Sequence, residues 1–129
     1  MLLTSAVLLL GLMSGEIKSG PAPRYDPATV VDLPVVVTDV REASGEDGLK
    51  GVRLLTRTEA DAPIDVYLGP SDYIKDFEIV FVKGDRIQII GSKVKIGGAS
   101  IVLAREVRKG STTLYLRDRN GDPYWHAAK

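Results

Sequence analysis

The sequence contains no cysteine and only one histidine, His126, close to its end. Without cysteine, the chain has no disulfide scaffold, no thiolate metal site, no cysteine nucleophile and no lipid attached through a thiol. A single histidine excludes a metal centre built on several histidines, and in a terminal stretch it lacks the orienting partner that a catalytic triad requires. We therefore predict a protein that is not an enzyme and holds no metal and no cofactor.

Aromatic residues and net charge are also scarce. Phe, Trp and Tyr make up 6% of the chain, and 17 basic residues balance 17 acidic ones. A neutral chain creates no overall field that attracts nucleic acid. The charges are nevertheless divided: Glu16 to Glu78 carries seven basic and thirteen acidic residues, and Lys83 to Lys129 carries ten and four. If strands from the two halves interleave, acidic and basic residues are mixed on one surface. If they do not, the protein has a basic face that could bind an acidic partner or a polyanion.

Two motifs resemble ligand loops without meeting their requirements. The stretch KGDRIQIIGSKVKIGG (Lys83–Gly98) is rich in glycine, but its lysine does not follow the second glycine directly as a phosphate loop requires. Asp118, Asn120 and Asp122 have the alternate spacing of a calcium loop, yet Pro123 stands where that loop needs glycine. We interpret the first motif as a bent strand and the second as a polar turn with Asx hydrogen bonds.

The N-terminal segment differs from the rest of the chain. Residues 2–13 are almost entirely apolar, a length typical of the hydrophobic region of a signal peptide and short of the roughly 20 residues that span a bilayer. We expect residues 1–15 to be a signal peptide or a short membrane anchor, and 16–28 to be a linker containing Pro21, Pro23 and Pro27. Residues 29–129 then form one folded domain in the periplasm or outside the cell, and residues 1–15 are a predicted membrane contact.

From Val30 onward the apolar residues alternate with period two, which predicts an all-β domain. Pro70 and Ser71 interrupt the alternation at the start of a short helix that we place over Ser71–Phe77. The order is three strands, a helix and two long strands, which is that of a five-stranded Greek-key OB-type barrel. An extra C-terminal hairpin strand follows; an immunoglobulin-like sandwich is the alternative. The predicted strands are Val30–Arg41, Leu49–Thr58, Ile64–Leu68, the stretch after Gly84, Ala99–Arg108 and Thr112–Asp118.

Gly91 lies where the alternation in the fourth strand shifts. Ile87 and Ile89 share one parity, whereas Val94 and Ile96 share the other. If all four side chains faced one core, the inward-facing positions would change from odd-numbered to even-numbered residues between the two pairs. A glycine bulge at Gly91 would produce that change and bend the strand.

Four segments carry a resemblance to a known family: VYLGPSDYI, VKGDRIQIIGSKVKIGG, IVLAREVRKG and TLYLRDRNGDPYW. Together they resemble small exported bacterial OB-fold domains of unknown function, including OB-like domains of magnetosome-associated proteins. The resemblance covers residues 29 to 125 and implies an OB-type fold without catalytic residues. The paired cysteines that attach haem in magnetosome cytochrome domains are absent here.

Two surfaces are candidates for binding. An OB fold binds ligands on the outer face of its second and third strands, where we expect Arg53, Arg57 and Tyr67, with Tyr73 nearby. A second group of basic residues lies on the two long strands and is predicted to form a basic stripe. It consists of Lys93, Lys95, Arg105 and Arg108, with Lys109 beside them. We interpret Tyr124 and Trp125 as a plug at the open end of the barrel.

We therefore predict a non-enzymatic, exported binding module that docks another protein of the cell envelope. The alternative is an OB domain that binds a small ligand, a saccharide or a single-stranded oligonucleotide. Nucleic acid is the less favoured ligand, because single-strand binders usually stack bases on several aromatic side chains and this chain has few.

Overall fold

The computed structural model describes residues 23–127, so the predicted signal peptide or anchor (1–15) and the first part of the linker lie outside the described residues. A 3-10 turn at Pro27–Thr29 precedes six strands and two single-turn helices in this part of the chain. No helix within these bounds is long and apolar enough to cross a bilayer. The elements are β1 (Val30–Ser44), β2 (Lys50–Thr58), β3 (Pro63–Gly69), α1 (Ser71–Ile74), β4 (Arg86–Ile96), β5 (Ala99–Lys109), β6 (Thr112–Tyr115) and α2 (Tyr124–Ala127).

The six strands are bonded in the order β3-β2-β1-β4-β5-β6. All neighbours in this order are antiparallel, and β3 also pairs with β5 in parallel over Asp65–Tyr67 and Ile101–Leu103. This additional pairing connects the first and fifth strands of the order, so that each of β1, β2, β3, β5 and β4 is bonded to two others of these five, and β5 is bonded to β6 as well. The prediction of an all-β domain with an extra C-terminal strand is confirmed.

The helix between the third and fourth strands is also confirmed, although it is shorter than predicted. It begins at Ser71 and ends at Ile74, and Phe77 continues only as a turn in which its amide donates to the Ile74 carbonyl (3.1 Å). The last strand ends at Tyr115 rather than Asp118. The Leu116 and Arg117 amides both donate to the Arg105 carbonyl (2.8 and 3.3 Å), and the Leu116 carbonyl accepts from the Tyr124 amide (3.0 Å) instead of from β5.

A first hydrophobic cluster fills the inner face of the sheet. The alternation predicted for β2 and β3 holds: Leu54, Ile64, Val66 and Leu68 are all buried in this cluster. Phe81 joins it from the loop before β4. Burial of these branched side chains away from water supplies the main driving force for folding.

A second hydrophobic cluster lies on the outer face. Leu49, Tyr67, Ile101 and Leu103 form it, and Val94, Ile96, Tyr25 and Trp125 pack against it. The parallel pairing places Tyr67 beside Leu103, which accounts for the contact between β3 and β5. The sheet is therefore covered on part of its outer face as well as on its inner face.

The second cluster explains why the two apolar pairs of β4 have different parity, and it corrects the prediction that the inward-facing positions shift within this strand. Ile87 and Ile89 belong to the first cluster, whereas Val94 and Ile96 pack on the second, so the strand alternates without interruption. A register shift does occur opposite Ile90 and Gly91, but the extra residue is Arg105 on β5. The bulge was predicted at the right level of the sheet but on β4 rather than on β5. The prediction assumed that only one face of β4 is buried, whereas both faces are.

The last residues of the predicted linker are fixed to β4. The Asp26 amide donates to Ser92 Oγ (2.9 Å), and the Thr29 and Ser92 hydroxyls lie 2.8 Å apart. Asp26 also caps the 3-10 turn by accepting from the Ala28 amide. Ser92 is fully buried, and these bonds satisfy its hydroxyl.

Candidate functional site

A groove with a volume of about 850 Å³ lies on the outer face of β1 and β4. The Thr58–Glu59 turn borders it on one side and Gly110, after β5, on the other. Three arginines from three different strands line it: Arg57 on β2, Arg86 on β4 and Arg108 on β5.

Sheet register places these arginines together. Val36 of β1 pairs with Arg57 on one side and with Arg86 on the other, so the three residues form one row across the sheet. In the next row, Pro34 pairs with Gln88, and Gln88 pairs with Arg108. Side chains of directly paired residues lie on the same face of a sheet, and all three guanidinium groups therefore face the same groove.

The three arginines are only weakly neutralised. Arg57 forms an exposed ion pair with Asp61 (3.2 Å), and Arg108 lies 3.5 Å from Glu106 with about half of its side chain exposed. No carboxylate of residues 23–127 pairs with Arg86, which is exposed. Exposed ion pairs contribute little free energy, so these guanidinium groups remain available to an anionic ligand.

A smaller groove of about 420 Å³ adjoins the first on the other side of the Thr58–Glu59 turn. The two grooves share Pro34, Thr58 and Glu59 as lining residues. The second groove adds Lys93, whose side chain is exposed. Lys93 pairs with Val102 of the first cluster, so it lies on the opposite face of the sheet from Arg86 and is not part of the row of arginines.

Arg86 is the functional candidate that sequence reasoning missed. Its signal was present, since Arg86 and Gln88 alternate with the inward-facing Ile87 and Ile89 and so must face outward. What the local pattern lacks is the neighbour across the sheet. Only the pairing of β1 with both β2 and β4 shows that Arg86 faces the same groove as Arg57.

The predicted basic stripe is divided among several environments. Lys93 lines the smaller groove and Lys95 is exposed farther along β4. Arg105, the bulged residue, is half-buried 3.4 Å from Glu106. Lys109 lies 2.9 Å from Asp85 and above the Phe81 ring. Of this group, Arg108 alone shares the larger groove with Arg57.

Lys109 and Asp85 hold the loop before β4. Asp85 accepts from the Val82 amide and from Lys109 Nζ. These two hydrogen bonds, the amide first, lower the pKa of Asp85 below its ordinary value. Lys109 Nζ also donates to the Val80 carbonyl. The ammonium group is therefore used in structure rather than offered to a ligand.

The predicted binding surface around Arg53 and Tyr67 is closed. Tyr67 faces outward as predicted but is only 5% exposed, and its hydroxyl donates to the Lys50 carbonyl (2.7 Å). Burial raises the pKa of the Tyr67 phenol, while the nearby Arg117 and Arg53 act in the opposite direction. Arg53 is 17% exposed and forms an ion pair with Asp47. The Tyr67 ring lies on the predicted face, but other parts of the chain cover it.

That cover is built on Arg117. Its guanidinium lies 5.8 Å from the Tyr25 ring and 5.2 Å from the Trp125 ring, and it donates to the Gly121 carbonyl (2.9 Å). Burial lowers the pKa of Arg117. A desolvated cation between two aromatic faces is a strong form of the cation–π interaction, and it joins the segment before β1 to the C-terminal helix.

Tyr73 belongs to an aromatic group at the same end of the fold. Its ring meets Phe77 edge to face at 5.1 Å and lies 5.6 Å from Trp125. Burial raises the pKa of the Tyr73 phenol. Trp125 also packs closely on Gly69, whereas Tyr124 is largely exposed. Tyr73 is thus half-buried in packing and lies outside the grooves.

The Asp118 turn has the structure expected of an Asx turn. Asp118 Oδ1 accepts from the amides of Asn120 (2.9 Å) and Asp122 (3.0 Å). This side-chain oxygen is therefore used to bind the backbone amides of the turn.

The family model of the MamS/MamX magnetosome proteins matches residues 34–114, which run from β1 into β6. The chain belongs to the MamS/MamX magnetosome protein family. The resemblance to magnetosome-associated proteins is thereby confirmed at the level of the family. No curated protein and no solved structure matches the chain.

The arginines of the groove lie inside the region that matches the MamS/MamX family model, whereas the residues that cover Tyr67 lie outside it. Arg57, Arg86 and Arg108 all lie within residues 34–114. Tyr25, Arg117 and Trp125 lie in the segments that flank it. The groove is therefore built by the matched MamS/MamX region, and the cover is added by the segments on either side.

Proposed function

We propose that this chain is an exported, non-enzymatic binding module with an OB-type Greek-key barrel, and that it docks another protein of the cell envelope. Two features support the barrel: each of β1, β2, β3, β5 and β4 is bonded to two others of these five strands, and a short helix follows β3. The apolar residues 2–13 support export.

The docking surface in this proposal is the groove of Arg57, Arg86 and Arg108. The observation that carries it is the convergence of three weakly neutralised guanidinium groups from three strands in one groove of about 850 Å³. Guanidinium groups recognise carboxylates through paired hydrogen bonds, which gives orientation as well as attraction. The Tyr67 surface is a poorer choice, because Tyr25 and Trp125 already cover it.

Removing two of these charges should abolish docking without unfolding the protein. We expect tagged full-length protein to recover a partner from native envelope extract at low salt, and Arg86→Gln/Arg108→Gln to recover at least tenfold less. The loss of two charge-assisted hydrogen bonds accounts for this size of effect. Quantitative blotting of the recovered partner measures it.

The matched control is Arg24→Gln/Arg119→Gln, which removes the same charge at two exposed positions outside the groove. It should recover the partner as the wild type does, and all variants should unfold at similar temperatures. Recovery of a lone monomer at low salt would contradict docking. Equal recovery by the groove variant and the control would contradict the choice of surface.

A further inference from the structure

The row of Arg57, Val36 and Arg86 sets a distance that a ligand must match. Adjacent strands lie 4.7–4.9 Å apart, so the backbones of Arg57 and Arg86 are separated by about 10 Å. Val36 between them is apolar and half-buried. The groove therefore presents two positive side chains whose backbones are two strands apart, with an apolar floor between them.

Recognition in this groove must come from side chains. β1 is bonded to β2 and β4 along this stretch, and β4 is bonded to β1 and β5. Neither strand has a free edge to which a ligand strand can add. A ligand lying across them meets guanidinium groups rather than backbone amides, and its own anionic groups must supply the pairing.

The ligand is also long. Three cations from three strands, Arg57, Arg86 and Arg108, line the one groove. A small anion would use one of these cations and leave the others without a partner. An extended chain crossing the groove meets them in sequence.

Two observations favour an acidic polypeptide over a nucleic acid as the ligand of this groove. None of the described residues that line the two grooves is aromatic, so bases have no ring on which to stack. The lining also includes two carboxylates, Glu59 and Asp32. They would repel a backbone charged at every unit, whereas a polypeptide can place uncharged residues opposite them.

We infer that the groove binds an extended acidic segment of the partner protein, with carboxylates about three residues apart. This inference rests on the docking function proposed above and names its chemistry. In the polyproline II conformation a chain has three residues per turn and advances about 3.1 Å per residue, so carboxylates at positions i and i+3 lie on the same face about 9 Å apart. That spacing matches Arg57 and Arg86, and a further carboxylate along the segment meets Arg108.

Fluorescence anisotropy with the full-length chain and four labelled probes tests the inference. The first probe is a 12-residue peptide with Glu at every third position among Ser and Thr. The second has Gln in place of each Glu, and the third has the same number of Glu residues in one block. The fourth is a 12-nucleotide oligothymidylate. Arg86→Gln and the exposed control Arg119→Gln are measured with each probe.

We expect the spaced peptide to bind at least tenfold more tightly than the Gln peptide and more tightly than the block peptide or the oligothymidylate. Arg86→Gln should weaken its binding about tenfold, as the loss of a charge-assisted hydrogen bond would. Arg119→Gln should leave it unchanged. Added salt should weaken binding, since the site is exposed.

Tighter binding of oligothymidylate, equal binding of the Gln peptide, or no effect of Arg86→Gln would overturn the inference. Partner recovery separates this failure from failure of the docking function. If recovery depends on Arg86 and Arg108 but the spaced peptide does not bind, docking stands and the acidic segment is wrong. If the peptide binds and no partner is recovered, the groove recognises carboxylates and the docking function is wrong.

Discussion

Replacing Gly91 by alanine is expected to lower the free energy of unfolding by about 3 kcal/mol or more, at the upper end for overpacked sites. A Cβ atom at this position would lie 2.3 Å from the Leu103 carbonyl oxygen and 2.9 Å from the Ala104 Cα. Both atoms belong to the backbone of β5, so no side-chain rotation relieves the clash. For a domain of this size, thermal unfolding should shift downward by about 10–20 °C.

The control for Gly91 lies at the tip of the same hairpin. A Cβ at Gly97 would meet nothing within 4 Å, and its φ of +56° is one that asparagine tolerates. Gly97→Asn should therefore lower the unfolding temperature only slightly. If Gly91→Ala unfolded at the wild-type temperature, the close approach of β4 and β5 at the bulge would be contradicted.

Truncating Leu103 to alanine is expected to cost about 2–5 kcal/mol, the range measured for fully buried leucines. Leu103 is completely buried although it lies on the outer face of β5. The loss combines apolar surface no longer buried with a cavity against Tyr67 and Ile101. Denaturant unfolding measures the free energy.

Trp125 provides a second readout of the Leu103 variant, because it is the only tryptophan and packs on the same cluster. Its emission should shift to longer wavelength as water reaches the loosened cluster. Leu55→Ala, a truncation of a half-buried leucine on the outer face of β2, should cost about 1 kcal/mol. Equal effects of the two truncations would contradict a second core.

Local patterns predicted the parts of the fold that depend on local geometry. Alternation placed Leu54, Val66 and Leu68 inward, and the proline-serine start placed α1 after β3, because strand pleat and helix capping are set by neighbours in sequence. The cover of Tyr67 depends instead on Tyr25 and Trp125, which are distant in sequence. No periodicity within β3 carries that information.

The candidate site was half predicted for the same reason. Arg57 and Arg108 were named, but on two separate surfaces, and Arg86 was missed. Their proximity follows from β1 pairing with β2 and β4, and from β4 pairing with β5. These non-local pairings also separate Arg53 from Arg57: the former lies beside Asp47 and the latter in the groove.

The groove as the binding surface is tested most directly by nuclear magnetic resonance of the ¹⁵N-labelled full-length chain titrated with the spaced-glutamate peptide. We expect the largest amide shifts in residues 32–36, 57–59, 86–88 and 108–110, the stretches that line the groove. Shifts centred instead on Arg53, Tyr67 and Arg117 would show that the covered face opens to bind, and would contradict the groove.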